Sequence, residues 1–316
     1  MWVAAGLAVF AALAMQVANA APARSLVERL GFPAGTRAVI INGDDTGMCH
    51  AANTATFDSL LNGSLTTATV MVPCPWLPEV AAFARQNPKV DLGVHLTHTS
   101  EWVRYKWGPV APRSAVPGLL DKHGYLWESV EEVYAHSTPA EAGLEARAQV
   151  KRAIEMGLDV THVDSHMGTM QYDPKYHREY LKVAREFDLP LRMATQELYV
   201  KLGAPSMRED AAKLGLVFPD RLIHEEAPAA SETRKAFWMR MLTELGPGVT
   251  ELYIHASSAT EESQATSNTW RERAEDYRIF TSDPDVRRLF DEKHIVRIGY
   301  RALRDLQRRE RRAGGG

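Results

Sequence analysis

The sequence predicts an α/β fold, a distorted (β/α) barrel of mostly parallel strands in a single domain. About eight runs rich in β-branched and small apolar residues alternate with segments of helical periodicity. The alternation continues along the chain without a linker-like break, which favours parallel strands joined by right-handed crossovers. The sequence has no G-x-G-x-x-G after the first strand and no G-x-x-x-x-G-K-[ST], which disfavours the usual dinucleotide and P-loop folds.

The predicted strands are short apolar runs, several of which end next to polar residues. They are residues 38–41, 66–72, 90–96, 159–164, 189–193, 221–223, 249–255 and 295–300. Helical periodicity predicts helices between them, at residues 51–61, 77–86, 139–156, 174–187, 208–213, 231–245 and 283–292. Eight such units favour a closed barrel over an open sheet.

One long segment, residues 97–138, interrupts this alternation. It is rich in Trp, Pro, Gly and His and has no clear period. A segment of this length without regular structure is typically functional or disordered. Its aromatic residues argue against disorder, and they are Trp102, Tyr105, Trp107, Tyr125 and Trp127. We therefore expect ordered loops near a functional site.

Composition places the chain among ordinary globular proteins. Of its 316 residues, 45% are hydrophobic and 24% are charged, so a large core can form without disulfides or metal ions as staples. The net charge of −3 argues against a nucleic acid as the main partner. Cys49 and Cys74 could form a disulfide, although we favour two buried free thiols.

The two ends of the chain differ from its middle. Residues 3–18 carry no charge, and residues 18–20 read Ala-Asn-Ala, so we expect a signal peptide at residues 1–20 and export of the mature protein. No Lys or Arg precedes the apolar run, which leaves an uncleaved anchor as the alternative, and no other membrane contact is expected. The barrel domain should span residues 24–306, followed by a disordered basic and glycine-rich tail at residues 307–316.

An acidic pair, Asp44 and Asp45, follows the first strand. Carboxylates at the end of a buried strand are costly unless a metal, hydrogen bonds or a raised pKa compensate the charge. A turn in which Asp and Gly supply local hydrogen bonds explains the pair equally well. The rest of the chain has to distinguish these two hypotheses.

Further histidines and carboxylates favour the hypothesis of a site. The chemistry of parallel α/β folds collects at the carboxyl ends of the strands. Four separate predicted strands deliver Asp or His to that edge, namely Asp44, Asp45, His95, His162, Asp164, His166 and His255. A single histidine of this kind is more often structural, but four coincidences at one edge favour a shared site.

The motif THVDSH suggests how this edge is arranged. Strand alternation would place His162 and Asp164 on one face, with His166 at the open end and best placed to reach a metal. Either His162 or Asp164 would then orient His166. One carboxylate and two imidazoles form a hydrolytic metal site when water takes the remaining positions. A neighbouring Asp could act as base and a further His as acid.

Five segments resemble the YdjC-like (ChbG/HpnK) carbohydrate deacetylases, relatives of the polysaccharide deacetylases with a distorted β/α barrel. They are NGDDTG, DLGVHLT, THVDSH, LPLR and DPDVRRLFDEKHIVRIGY. The resemblance runs from about residue 37 to residue 303. It implies metal-dependent removal of an N-acetyl group from an acetamido sugar or oligosaccharide, with water as the nucleophile.

The resemblance also implies roles for particular residues. Asp45, His95 and His166 correspond to the ligands of one divalent metal ion, Mg²⁺ or Zn²⁺. Asp44 corresponds to the base and His255 to the acid. Arg192, in LPLR, would orient the base or contact the substrate.

Three departures from the family pattern predict a changed substrate preference. Thr46 replaces an aromatic residue, residues 167–170 replace a His-rich continuation, and His255 is not followed by proline. We expect the change to lie at Gly43 and Thr46.

Two alternative functions remain open at this point. One is a metal-dependent hydrolase of another ester or amide at the same site. The other is a catalytically inactive exported sugar-binding protein that uses Trp102, Trp107 and Trp127 as stacking surfaces. These tryptophans would equally well pack the long segment onto the domain. The sequence does not specify an oligomeric state.

Overall fold

The computed structural model describes residues 24–223 and 231–314. Within them a single parallel sheet curls into a half-barrel with helices around it, which confirms the predicted distorted barrel. Its seven strands are β1 (Arg37–Thr46), β2 (Thr67–Val70), β3 (Leu92–Leu96), β4 (Val160–Ser165), β5 (Arg221–Ile223), β6 (Gly248–Ile254) and β7 (Ile295–Arg297).

Helices surround this sheet. They are α1 (Leu26–Arg29), α2 (His50–Asn62), α3 (Leu77–Gln86), α4 (Val130–His136), α5 (Pro139–Glu155), α6 (Pro174–Glu186), α7 (Gln196–Lys201), α8 (Met207–Lys213), α9 (Arg234–Thr243), α10 (Glu261–Thr266), α11 (Trp270–Ser282), α12 (Pro284–Glu292) and α13 (Tyr300–Gly314). Three short 3₁₀ turns lie at Arg113–Ala115, Pro117–Leu119 and His166–Gly168.

Strand β1 is the centre of the sheet, whose order is β4-β3-β2-β1-β6-β5. It pairs with β6 along Arg37 to Gly43. Its amino-terminal part also pairs with β7, and its carboxyl-terminal part with β2. Because every pairing is parallel, the carboxyl ends of all strands meet at one rim. Both carboxylates of the acidic pair lie within β1 at that rim.

The strand predicted at residues 189–193 is wrong. Only an isolated bridge joins Leu191 to Val163 of β4. It has two hydrogen bonds, from Val163 N–H to the Pro190 carbonyl and from Arg192 N–H to the Val163 carbonyl, both at 3.1 Å. Leu191 donates instead to the Val217 carbonyl (3.2 Å), and Thr195 already caps α7. The segment therefore leaves the sheet after a few residues, which leaves the barrel incomplete.

The disordered tail predicted at residues 307–316 is also wrong as far as Gly314, because α13 continues through it. Leu303 and Leu306 are buried against the base of the sheet. Gln307 is buried as well, and its Oε1 accepts from Val217 N–H at 2.8 Å. Most residues of α13 are charged, so the sequence pattern did not reveal the apolar face, with Leu303 and Leu306, that packs this helix onto the domain.

Helices α10 and α11 were missed for a related reason. Residues 261–276 are rich in polar and charged side chains, so apolar periodicity gives no clear signal there. Local capping starts α10, where Thr260 and Ser263 form a reciprocal box. Ile279 and Phe280 of α11 are buried in a core cluster with residues of β1, β6 and α9, and this packing holds the helix in place.

The long segment 97–138 is ordered, as predicted, but it also contains α4 and two of the 3₁₀ turns, which were not predicted. Two buried side chains of α5 hold its start. Glu145 accepts from the N–H groups of Val110 and Ala111 (2.9 and 2.8 Å), and Gln149 bonds both backbone groups of Thr97. These hydrogen bonds fix the loop whose first residues reach the rim.

Two other predictions concern residues away from the rim. Cys49 and Cys74 are buried free thiols, as favoured. The expected signal peptide, residues 1–20, lies outside the described residues. In the part of the chain that is described, none of the helices combines the length and the apolar character needed to span a membrane.

Candidate metal centre and active site

A bulge in β1 turns both carboxylates of the acidic pair toward the same cleft. Gly43 pairs with Ala68 and Thr46 with Val70, so three steps of β1 oppose two steps of β2. Asp45 has a φ of 62°, a left-handed conformation that is uncommon outside glycine. In a regular strand the two adjacent side chains would point to opposite faces. The bulge makes them neighbours at the cleft.

The three predicted metal ligands meet at the rim. Asp45 Oδ1 lies 3.4 Å from His95 Nε2 and 3.4 Å from His166 Nδ1. The two ring nitrogens are 3.2 Å apart. These side chains come from β1, from β3 and from the first residue after β4. The atoms form a group that could hold a metal ion.

The surroundings of these atoms fit a cation. Asp45 Oδ1 is buried and has no hydrogen-bond partner among the described residues. Burial by itself lowers the pKa of both imidazoles, but Asp164, Asp44 and Asp45 together outweigh it and raise the pKa of His95 to about 10. Glu101 likewise raises the pKa of His166 to about 9. One carboxylate oxygen and two imidazole nitrogens are a donor set that suits Zn²⁺, and they leave room for water.

Each candidate ligand is also held on its far side by one ionisable partner. The pairs are His95 Nδ1 with Asp164 Oδ1 (2.6 Å), His166 Nε2 with Glu101 Oε2 (3.0 Å), and Asp45 Oδ2 with Arg273 Nη2 (2.8 Å). Either His162 or Asp164 was predicted to orient His166, but Asp164 contacts His95 instead. Glu101 and Arg273 were not predicted at all, because they lie in the irregular segment and in α11, where no motif marks them.

His162, the other residue predicted to orient His166, does not belong to this cluster. Its ring stacks on Tyr300 at 3.7 Å between centroids, deeper in the barrel. Its Nδ1 lies 3.0 Å from Thr161 Oγ1. Burial lowers its pKa well below the ordinary value, so the ring is neutral. A side chain at Gly93 would collide with this ring, so glycine is required there.

Asp44 is fixed by Arg192. The guanidinium donates from Nη1 and Nη2 to the two carboxylate oxygens, both at 2.8 Å. Asn42 Nδ2 adds a third hydrogen bond to Oδ1 at 2.6 Å. Burial opposes ionisation, but Arg192 outweighs it and holds the pKa of Asp44 well below its usual range. Asp44 is therefore ionised at neutral pH, and Arg192 orients this carboxylate.

A buried chain of contacts continues behind Arg192. Its Nε donates to Glu251 Oε1 at 2.8 Å, and Tyr300 OH donates to Glu251 Oε2 at 2.5 Å. Glu251 is central to β6 and fully buried. These bonds leave Arg192 little freedom to rotate away from Asp44.

His255 lies one residue beyond β6, at the mouth of the cleft. Its side chain is 24% exposed, whereas those of Asp45 and His95 are almost fully buried. Its Nε2 lies 3.9 Å from Asp45 Oδ2, and its ring meets Tyr253 edge-on. The imidazole thus borders both the candidate metal centre and solvent.

The rim opens into a cleft of about 710 Å³. Apolar and aromatic side chains form part of its walls, namely Trp102, Met167, Tyr172, Leu222 and Tyr253. Trp107 and Trp127 instead donate their indole N–H to the carbonyls of Thr99 and Gly118, and so they pack the long segment. Of the three predicted stacking residues, only Trp102 borders this cleft.

Gly43 and Thr46 were expected to set substrate preference, but neither lines the cleft. A Cβ on Gly43 would lie 2.9 Å from Leu65 Cδ1, so a side chain there would point into the core and away from the cleft. Thr46 is fully buried. Met167 does line the cleft, directly after His166, with a φ of 51° and 45% exposure.

Fold and site together define a class of protein: a distorted parallel β/α barrel with an Asp-His-His cluster at the carboxyl ends of its strands. The chain belongs to the YdjC-like protein family, whose model matches residues 38–292. This match covers β1 from its second residue, β2 to β6 and every candidate ligand.

Individual relatives agree with this membership. A protein of Thermus thermophilus named carbohydrate deacetylase is 32% identical over 284 residues, which cover 89% of this chain and 98% of its own. An Enterococcus faecalis protein of the same name is 26% identical over 84% of this chain and 97% of its own. A crystal structure from Enterococcus faecalis, of a protein assigned to cellobiose-phosphate cleavage, superposes with a TM-score of 0.74 at 25% identity, covering 85% of this chain and 99% of that one.

Proposed function

We propose that this protein is a metal-dependent hydrolase that removes N-acetyl groups from acetamido sugars or oligosaccharides. The observation that carries the proposal is the convergence of the Asp-His-His cluster, the ionised Asp44 and the accessible His255 on one cleft. The names of the relatives support carbohydrate deacetylation as the reaction.

Asp45, His95 and His166 would hold one divalent ion, Zn²⁺ or Mg²⁺, which would supply Lewis-acid activation of a water molecule and of the acyl oxygen. Asp44 accepts the proton of the attacking water at its carboxylate, and Arg192 keeps that carboxylate ionised and oriented. His255 donates a proton to the leaving amine, because it alone of the candidate histidines reaches solvent.

The cleft also supports a sugar as substrate. Aromatic faces suit the apolar faces of a pyranose ring, and Trp102 and Tyr253 border the cleft on which the candidate ligands converge. Polar groups are interspersed among these walls, including Gln171 and Glu272. Such a mixture is typical of sites that orient a ligand with a few hydrogen bonds.

An Asp44→Asn variant tests the assigned roles. The amide keeps the size of the side chain and cannot accept the proton, so we expect acetate release to fall on the order of 10²- to 10⁴-fold. Metal content, measured by elemental analysis of the purified variant, should stay at the wild-type level. Asp305→Asn, on the solvent face of α13, is the matched control and should retain activity. Full activity of Asp44→Asn would refute the role of Asp44.

A second candidate is a hydrolase of another ester or amide at the same site. The observation that favours it is Met167, an exposed apolar side chain in the cleft directly after a candidate ligand. Acetate release from chitooligosaccharides, from acetylated xylan and from small esters, compared at equal acetyl concentration, distinguishes the two reactions. Binding of acetylated sugars without turnover, with Zn²⁺ or Mg²⁺ supplied, would instead favour a sugar-binding protein.

A further inference from the structure

Three residues that line the cleft form a cluster beside the candidate ligands. We call Glu101, Trp102 and Arg273 the outer clamp. Glu101 and Trp102 lie in the loop after β3, and Arg273 lies in α11. The Arg273 guanidinium carbon is 5.6 Å from the centroid of the Trp102 ring, so loop and helix are in direct contact.

Glu101 determines which nitrogen of His166 faces the ligand cluster. Its carboxylate lies 3.0 Å from His166 Nε2 and can only accept, so Nε2 carries the proton. An ion that replaces the second ring proton would therefore bind the lone pair of Nδ1, the atom that lies 3.4 Å from Asp45 Oδ1. His95 has the opposite arrangement, because Asp164 bonds its Nδ1 and leaves Nε2 facing the cluster. The two imidazoles therefore need different partners to point their lone pairs at one place.

Arg273 determines how Asp45 can bind. Its Nη2 lies 2.8 Å from Asp45 Oδ2, and its Nε donates to Thr269 Oγ1 at 3.0 Å, which holds the guanidinium in place. Arg273 is 6% exposed, so this ion pair is hardly screened by solvent. With Oδ2 engaged, Asp45 offers only Oδ1 to an ion.

We propose that the outer clamp positions the metal ligands, with Glu101 holding the tautomer of His166 and Arg273 restricting Asp45 to a single coordinating oxygen. This inference rests on the proposed function and adds Glu101, which acts through His166, and Arg273, which acts through Asp45. One-oxygen binding by Asp45 leaves a coordination position available for water and acyl oxygen. Substitution of Glu101 and substitution of Arg273 should therefore have different effects on the affinity for the metal ion.

For Glu101→Gln, the amide can present its NH₂ to Nε2 and favour the wrong tautomer, and one negative charge beside the site is lost. We expect the Zn²⁺ affinity of the metal-free protein to fall about 10- to 100-fold, measured by calorimetry. Glu128→Gln, an exposed position in the same long segment, is the matched control and should leave the affinity unchanged. Circular dichroism and the melting temperature of each variant show whether it is folded.

For Arg273→Gln, Asp45 gains a free second oxygen and loses a competing cation. We expect Zn²⁺ to bind as tightly as in the wild type or tighter, the visible spectrum of the Co²⁺-loaded protein to change, and acetate release to fall about 10- to 100-fold. Arg273→Lys, which keeps the charge, should be intermediate. Arg278→Gln, exposed on the same helix, is the control.

A lower Zn²⁺ affinity in Glu101→Gln, together with an equal or higher Zn²⁺ affinity in Arg273→Gln, identifies a positioning role. A merely structural contribution would lower Zn²⁺ affinity in both variants together with the melting temperature, and that result would overturn the inference. Unchanged Zn²⁺ affinity and an unchanged Co²⁺ spectrum in both folded variants would also overturn it. The predicted pattern in a protein that releases no acetate from any acetylated sugar would support the clamp and refute the proposed function.

Discussion

Asp44 and Asp45 are neighbours in the chain, but two different arginines give them different environments. Arg192 bonds both oxygens of Asp44, whereas Arg273 bonds only Oδ2 of Asp45. One oxygen of Asp45 therefore stays free to face the imidazoles. The bulge in β1 makes this possible, because it brings both side chains to the same cleft. The division of labour predicted for this pair has a physical basis in these contacts.

Glu251 is the residue with the clearest expected effect of pH on stability. Burial raises its pKa to about 7 from 4.5, against the opposing effect of Arg192. Between these pH values the unfolded chain releases the proton and the folded chain keeps it, so the free energy of unfolding falls as pH rises. The loss is on the order of 3 kcal/mol and is complete above pH 7.

Glu251→Gln cannot titrate, so its stability relative to the wild type should increase across this pH window. Urea unfolding between pH 4 and pH 8 measures the difference, and the lost Arg192 contact adds only an offset that does not depend on pH. Glu131→Gln, exposed on α4, should show no such trend. A constant difference between Glu251→Gln and the wild type at every pH would contradict the shift.

At the scale of elements, segments without an obvious apolar pattern supply essential parts of this protein. The loop after β3 brings Glu101 to His166, and α11 brings Arg273 to Asp45. Buried Glu145 and Gln149 of α5 fix the start of that loop by backbone hydrogen bonds. Specific polar contacts therefore order these elements, in addition to the burial of apolar surface.

The contribution of helix α13 to stability can be tested at this scale. Gln307→Ala removes the acceptor of the buried Val217 N–H and the contact with Asp188. We expect a loss of about 1–3 kcal/mol in the free energy of unfolding, because a buried donor is left without a partner. Deletion of residues 307–316 should lower the melting temperature at least as much.

Two controls accompany this measurement. Arg309→Ala, on the exposed face of the same helix, should change stability by less than about 0.5 kcal/mol. Deletion of residues 315–316 alone should have no measurable effect. Equal stability of the wild type and the 307–316 deletion would mean that this part of α13 does not contribute to the fold.

At the scale of the whole molecule, the candidate ligands join distant parts of the sheet. Asp45, His95 and His166 come from β1, β3 and the end of β4, which are not all adjacent strands. An ion bound by all three binds the folded chain only, so it should stabilise the entire barrel. At a free ion concentration one hundred times the Kd, the gain is about 2.7 kcal/mol.

We expect Zn²⁺ or Mg²⁺ to raise the melting temperature of the metal-free protein by roughly 5–10 °C, and a chelator to reverse the rise. Asp45→Asn should lose most of this response. Differential scanning calorimetry with each ion measures the effect. The metal assignment would fail if the wild type and Asp45→Asn respond identically to both ions.

Local patterns in the sequence were sufficient to predict the parallel barrel, most strand and helix positions, and a cluster of Asp and His at the carboxyl ends of the strands. Each of these depends on periodicity or on motifs of a few residues, which are properties of short stretches. The resemblance to a known family added the separate roles of Asp44, Asp45 and His255. None of these inferences needed the positions of residues far apart in the chain.

Only the tertiary structure decided which partner each ligand has. Asp164 holds His95 across two strands, Glu101 reaches His166 over 65 positions, and Arg273 approaches Asp45 from a helix near the carboxyl end of the chain. The same holds for His162, which packs on Tyr300 of α13 although its motif suggested a role at the rim. Contacts between residues far apart in the chain depend on how the elements pack, and local periodicity carries no information about that packing.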